Sequence, residues 1–285
     1  MGHAIIYHAM SKKTRNILIV VPYGNLDPAQ RRDEQLAQLL ACLSAHAESL
    51  PPKTYMFVLI AEQVSPAKYF NRGQLINIGV QHFTKTIGAP WNIIMHDVDM
   101  LPDNNLFAEY LKASPAYSMM PLDTDEYRRA YGDFRLEAGA GIFMTDLKTF
   151  TKANGFPNDY WGWGGEDNAL GARYRRMKVR LARNQNIGQI TSIDTQRTSN
   201  ADKMASIKRE RVRNMTVYER MATDKSNWKS NGYAQLVSMD FRVMEEMLKE
   251  LHHHAVLHIK IELDERGLDE TIAQNESVYA RLATR

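Results

Sequence analysis

At 285 residues, 44% hydrophobic and 24% charged, the chain has the makeup of an ordinary globular protein able to bury a sizeable core. Its 36 basic and 33 acidic residues leave a formal charge of +3, too small by itself to mark a nucleic-acid binder. The single cysteine, Cys42, excludes an internal disulfide, and no apolar run approaches the ~18 residues of a membrane span.

The opening MGHAIIYHAMSKKTR holds too short an apolar stretch, in the wrong order, for a signal peptide. The expectation is a soluble chain with no integral membrane segment. NILIVVP, from Asn16 to Pro22, is a continuous apolar run stopped by proline, as in a strand buried on both faces. A helix follows, with Leu36, Leu39, Leu40 and Leu43 at helical spacing and Cys42 as a buried structural thiol. TYMFVLIA is a second buried strand, NRGQLINIGVQHF a helix with Leu75, Ile78 and Phe83 inward, and WNIIMHDVD a third strand reaching Asp99. Strand and helix alternating in this way predict an α/β fold, with a mainly parallel central sheet covered by helices on both faces.

Beyond Asp99 the pattern is mixed. Short helices are expected near Asn105–Lys112 and Asp146–Ala153, and strands near Tyr117–Met120 and Gly141–Met144. A further helix should open at Glu166, followed by strands at KVRLA, AQLVSM and AVLHIKIEL and a terminal helix from Asp264. With no repeat or linker in view, the division expected is a tail over 1–15, one catalytic domain over 16–263 and a C-terminal helix over 264–285.

Two acidic groups could carry chemistry. Asp97 and Asp99 fall at the end of the third strand, where α/β sheets bind ligands, and two residues apart on a strand share one face. Two hard oxygen donors there suit Mg²⁺ or Mn²⁺ shared with a phosphate. The plainer alternative is a turn into MLPDNN, since aspartate is common where strands end.

Glu166 and Asp167 stand in the first helical turn, where acidic side chains offset the helix dipole. That does not explain the preceding YWGWGG. Its glycines permit a loop that changes shape, and its tryptophans offer flat surfaces for a sugar ring. Such a loop could close over a sugar and leave Asp167 as a general base. A core role for both Trp161 and Trp163 is the less favoured reading.

Three other features carry little. GAGIFM lacks the third glycine of a dinucleotide fingerprint. His252, His253 and His254 read as a solvated helix end, and the basic run Lys203–Arg213 as a solvated or mobile segment.

In order and spacing, VPYGN, YFNRGQLINIGV, HDVDMLPDNN and NGFPNDYWGWGGEDNAL resemble the β-1,4-galactosyltransferase family of inverting enzymes with a GT-A type fold. SNGYAQLVSM is a fifth, weaker likeness. The resemblance implies transfer of galactose or N-acetylgalactosamine from UDP-galactose or UDP-GalNAc to a carbohydrate acceptor, a terminal GlcNAc or similar sugar, with a β-1,4 linkage. It implies nucleotide contacts from Pro22, Phe70, Arg72, Asp97 and Val98, and metal ligation by Asp99. Trp163, Gly141, Asn168, Ala138 and Tyr160 match sugar or acceptor positions, with Asp167 as base and Glu166 organising the site.

Departures from the family pattern modify these expectations. Asn184 and Asn186 fall where members carry further metal ligands, so Mn²⁺ or Mg²⁺ should bind more weakly than is usual. Ala138 stands where galactose-specific members carry tyrosine, leaving room for an N-acetyl group. The segment after the first strand is longer than usual, with Arg31 or Arg32 as substitutes for its arginine. The anchor and disulfides of the animal enzymes have no counterpart, which suggests a cytoplasmic bacterial or viral enzyme or a soluble piece of a Golgi-type one. The alternative in a different class is a silent sugar- or nucleotide-binding protein of the same fold. Nucleic-acid binding through the basic run has no other support.

Overall fold

The computed structural model describes residues 14–25, 28–64, 69–119, 141–183, 187–194, 214, 227–251, 254–266 and 268. Strand β1 (Arg15–Tyr23) lies at the centre of the sheet, parallel to β2 (Thr54–Gln63) on one side and β3 (Asn92–His96) on the other. Its side chains alternate between two buried clusters. Leu18 and Val20 pack with one, and Ile17, Ile19 and Val21 with the other. Apolar residues at consecutive positions are therefore required, because both faces of β1 are covered.

Helix α1 (Arg32–Ala47) covers one face through Leu39, Leu43 and Ala47. Helix α2 (Arg72–Thr86) covers the other through Leu75, Ile76, Ile78, Val80 and Phe83. The chain then forms β4 (Met100–Pro102), α3 (Asn104–Glu109), β5 (Tyr117–Ser118), β6 (Ile142–Thr145), α4 (Leu147–Lys152) and α5 (Glu166–Arg176). It continues through β7 (Ala182–Arg183), β8 (Ile190–Ser192), α6 (Asn227–Ser230), β9 (Phe241–Leu251) and β10 (His254–Leu263). The strand order β7-β5-β6-β3-β1-β2-β10-β9 makes one eight-stranded mixed sheet, parallel at its centre, and β4 pairs with β8 separately. Among the described residues no helix is long and apolar enough to cross a membrane.

Several expectations need correction. Strand β3 stops at His96, so Asp97 and Asp99 sit on a turn and not on one strand face. AQLVSM lies in a 3-10 helix, Tyr233–Ser238, because Asn154 captures its backbone: Ala234 N donates to Asn154 Oδ1 at 2.7 Å and Tyr233 N to Asn154 O at 2.9 Å. Within KVRLA only the final alanine is in a strand, at the short β7. Strand β9 was not anticipated. Its residues FRVMEEMLKEL favour a helix, but the free edge of β10 offers a full antiparallel ladder, and tertiary pairing overrides the local preference.

His254 opens β10 and is buried, which overturns the solvated helix end for that residue; His252 and His253 lie outside the described residues. Cys42 is only half-buried, and burial still pushes its thiol pKa up. Of the supposed terminal helix, most lies outside the described residues, as do nearly all of the N-terminal tail and the whole of the basic run.

Candidate active site

The site is built where β1, β2 and β3 end, from the turn after β3, the start of α2, and the start of α5. Asp97 follows β3, with its backbone N–H donating to Gly141 O at 3.2 Å. Val98 is buried, and Asp99 is buried with 7% exposure. Pro22 sits in the central strand opposite Ala61, buried beside this turn's strand.

Arg72, the first residue of α2, joins the two acidic groups. Its Nε and Nη2 lie 2.9 and 2.8 Å from Asp97 Oδ1, and its Nη1 lies 3.7 Å from Glu166 Oε1. Burial opposes the guanidinium's charge, but Asp97 and then Glu166 more than offset it, so Arg72 stays protonated. The two carboxylate blocks, about seventy residues apart in sequence, thus meet around one cation.

Glu166 and Asp167 both titrate high. Burial is the main cause for Glu166, the neighbouring Asp167 charge adds to it, and Arg72 opposes; the result is a carboxyl pushed up to about 7. Burial raises Asp167 as well, partly offset by the Asn168 N–H, which donates to Asp167 Oδ1 at 2.8 Å. A raised pKa in the native state has a defined consequence for stability. The unfolded chain releases the Glu166 proton near 4.5 while the native state keeps it up to about 7, so this group makes the fold lose stability as pH rises through that window. Glu166→Gln is expected to flatten that part of the stability–pH curve, measured by urea unfolding at pH 5, 6, 7 and 8; an unchanged slope would argue against the shift.

The loop before α5 is held by backbone and amide contacts. Gly162 N donates to Phe70 O at 2.7 Å, tying the loop to the chain two residues ahead of α2. Asn214 Nδ2 donates to Trp161 O at 3.3 Å and Trp163 O at 3.1 Å. Asn214, one residue past the basic run, is buried. Gly165 caps α5 at φ 95, and a Cβ there would fall 2.8 Å from the Tyr160 ring. Only glycine meets both demands. Tyr160 is itself buried at 1% exposure, under this glycine, while Trp163 is half-exposed. Trp161 belongs to the core, against the expectation for that residue.

Beneath the loop lies an amide network that sequence reading missed. Asn71 caps α2 and donates through Nδ2 to Asn158 O at 2.8 Å. Asn77, facing inward from α2, donates to Phe156 O and Asn158 Oδ1, both at 2.8 Å, and accepts from Phe156 N at 3.0 Å. Asn158 N donates to Asn231 Oδ1 at 2.9 Å, and its Nδ2 to Gly232 O at 2.8 Å. Buried Arg173 donates to Asn154 O and Gly155 O at 2.9 and 2.7 Å. These bonds link NRGQLIN, NGFPN and SNGY into one frame, and the available signal was polar residues on the core face of a helix. Asn77→Ala would leave the Phe156 N–H and C=O unpaired in the interior and should cost about 3 kcal/mol of stability by chemical denaturation.

Of the remaining expected site residues, Ala138, Asn184 and Asn186 lie outside the described residues. Asn168 is half-buried in the first turn of α5, and Phe70 is half-buried against the core. Asp99 does not stand open for a metal. Arg32 Nη1 lies 2.9 Å from its Oδ2. Among the described residues no three His, Cys, Asp or Glu side chains converge as a metal-holding group. Of the residues expected to hold a divalent ion, Asp99 is the one among the described residues.

A parallel-centred sheet with an acidic turn after its third strand, facing a second acidic pair at a helix start, defines a GT-A type glycosyltransferase fold. Solved structures agree. The catalytic domain of Drosophila β-1,4-galactosyltransferase 7 in complex with xylobiose superimposes with a TM-score of 0.62 at 23% identity, over 88% of this chain and 95% of that one. A mutant of the same fly enzyme, in complex with manganese, UDP-Gal and xylobiose, gives 0.58 at 24% identity over the same shares.

The chain belongs to the β-1,4-galactosyltransferase family. Residues 8–110 match the N-terminal region of glycosyl transferase group 7, and residues 124–196 match the N-terminal domain of galactosyltransferase, together more than half of the chain. It is 26% identical to β-1,4-galactosyltransferase 4 of Homo sapiens over 89% of this chain and 64% of that protein. With β-1,4-galactosyltransferase 7 of Drosophila melanogaster it shares 35% identity over 57% of this chain and 47% of the relative. The chain therefore spans between about half and under two thirds of the length of these curated relatives.

Proposed function

We propose that this chain is an inverting glycosyltransferase that moves galactose or N-acetylgalactosamine from a UDP-sugar to a hydroxyl of an acceptor sugar, forming a β-1,4 linkage. The observation that carries this reading is the Arg72 bridge, which brings the turn at Asp97 against the pair Glu166 and Asp167. Residues 16–263 act as one catalytic domain, since a single sheet runs from β1 to β10. Pro22, Phe70, Arg72, Asp97 and Val98 face the nucleotide. Gly141, Tyr160, Trp163, Asn168 and Ala138 shape the sugar and acceptor subsites.

Asp167 takes the proton of the acceptor hydroxyl as that oxygen attacks the anomeric carbon. The bond from that carbon to the diphosphate oxygen breaks on the opposite side, the UDP departs with the bonding pair, and an α-linked donor becomes a β-glycoside. Burial supports this role, because a carboxylate with a raised pKa is the stronger base. Arg72 stays charged and lies where negative charge would develop on the leaving group. Mn²⁺ or Mg²⁺ at Asp99 would be held weakly, because Arg32 already takes one of its two oxygens.

UDP release and product mass, scored across UDP-sugars with GlcNAc- and xylose-terminated acceptors, test the proposal. A single added hexose or N-acetylhexosamine is the expected product, and no release with any donor would favour the second reading. That reading is a sugar- or nucleotide-binding protein without turnover, and the occupied Asp99 carboxylate is what favours it.

A further inference from the structure

Strand β3 ends on a histidine. His96 is fully buried opposite Ile142 of β6, and the next residue, Asp97, starts the acidic turn. The three residues before it, Ile93, Ile94 and Met95, are apolar, and burial alone would be met by another such side chain.

The imidazole is engaged in two ways. Its ring meets Tyr110, at the end of α3, edge to face with centroids 6.2 Å apart. Its Nδ1 lies 2.9 Å from the backbone oxygen of Asp97. A carbonyl oxygen can only accept, so Nδ1 carries the proton and donates. Nε2 is then a bare lone pair, buried with no hydrogen-bond partner among the described residues. A second proton there would leave a buried donor unpaired. Burial accordingly holds the ring down to about 4, against the opposing pull of Asp97 and Asp99, and the imidazole is neutral at pH 7.

The backbone of Asp97 is thereby held on both sides. Its N–H donates to Gly141 O at 3.2 Å, and its carbonyl accepts from His96. No backbone N–H among the described residues donates to that carbonyl. With both groups bonded, φ and ψ of Asp97 are constrained together, and so is the direction of a carboxylate that lies 2.8 Å from Arg72 Nη2. The chain leaves this peptide toward Asp99, whose own carbonyl accepts from Ile193 N at 2.9 Å.

We propose that His96 is a positioning residue for the nucleotide end of the site: as the neutral, Nδ1-protonated imidazole it fixes the backbone of Asp97 and with it the aim of the acidic turn. The inference rests on the UDP-sugar reading and deepens it.

Two measurements test it. Long-range proton–nitrogen NMR on the full chain, with nitrogen-labelled histidine, should show one ring protonated at Nδ1 alone, unchanged from pH 6 to 8 and absent from His96→Phe. The opposite tautomer, or titration in that range, would overturn the proposal. Calorimetric titration of UDP with Mn²⁺ present then compares two variants. Phenylalanine keeps a ring against Tyr110 and loses the donor, whereas asparagine keeps an amide N–H near the Nδ1 position and leaves a void. A space-filling role predicts that asparagine is the worse. The positioning role predicts the reverse: His96→Phe should lose at least ~10-fold in UDP affinity. His96→Asn should stay within about threefold of the unmodified chain, even with a lower melting temperature. Parental affinity in His96→Phe, or a loss in His96→Asn as large, would overturn the role of His96 and leave the UDP-sugar reading standing. No UDP binding by the unmodified chain would overturn both. If a variant fails to fold, the tautomer of the unmodified chain still decides.

Discussion

Asp167→Asn is expected to reduce sugar transfer by at least ~10³-fold while leaving UDP affinity close to that of the unmodified protein. The change is nearly isosteric, and the new amide oxygen can still accept from Asn168 N, so the start of α5 should keep its shape. What disappears is the ability to take a proton. The end of the site proposed for the nucleotide is held by other side chains, Arg72 on Asp97 and Arg32 on Asp99, neither of which bonds to Asp167. Single-turnover transfer and UDP titration on the same preparation separate the two effects. Near-normal turnover would remove Asp167 as the base, and a matched loss of UDP affinity would mean the residue supports the nucleotide site instead.

The second large effect should come from Arg72→Met. Methionine keeps much of the length and the apolar contact with Phe156, whose ring lies 5.7 Å from the guanidinium carbon. The positive charge between Asp97 and Glu166 is lost, and both carboxylates remain in a largely dry site. Breaking a buried pair by removing one partner is costly; with Asp97 30% exposed, a loss of about 2 kcal/mol is expected at pH 7. Because Arg72 holds Glu166 down, the Glu166 titration should also move above its value of about 7. UDP affinity should fall by at least ~100-fold, since a charged donor to phosphate is removed along with the order of the turn. A stable variant with parental UDP affinity would contradict the assignment of Arg72 to the nucleotide site.

Both experiments depend on a meeting of residues whose types, though not their contacts, were readable in the chain. Asp97 and Glu166 were each recognisable from local spacing. That one arginine joins them depends on α2 starting beside the end of β3, which follows from the right-handed crossover into the sheet. The aromatic loop divides in the same way. Trp161 and Trp163 look alike in sequence, yet Trp161 packs into the core and Trp163 stays half-exposed, because Asn214 and Phe70 hold the intervening backbone.

The central strands, the two long helices that cover them, and the acidic start of α5 were determined by sequence alone. Unbroken apolar runs and helical spacing are local consequences of burial on two faces or one. Only the tertiary structure decided that Asp99 would be paired to Arg32, that the asparagines of three separate blocks would form one frame, and that FRVMEEMLKEL would become an edge strand. Each of these rests on partners distant along the chain, whose hydrogen-bonding capacity or open sheet edge outweighs the preference of the residues themselves.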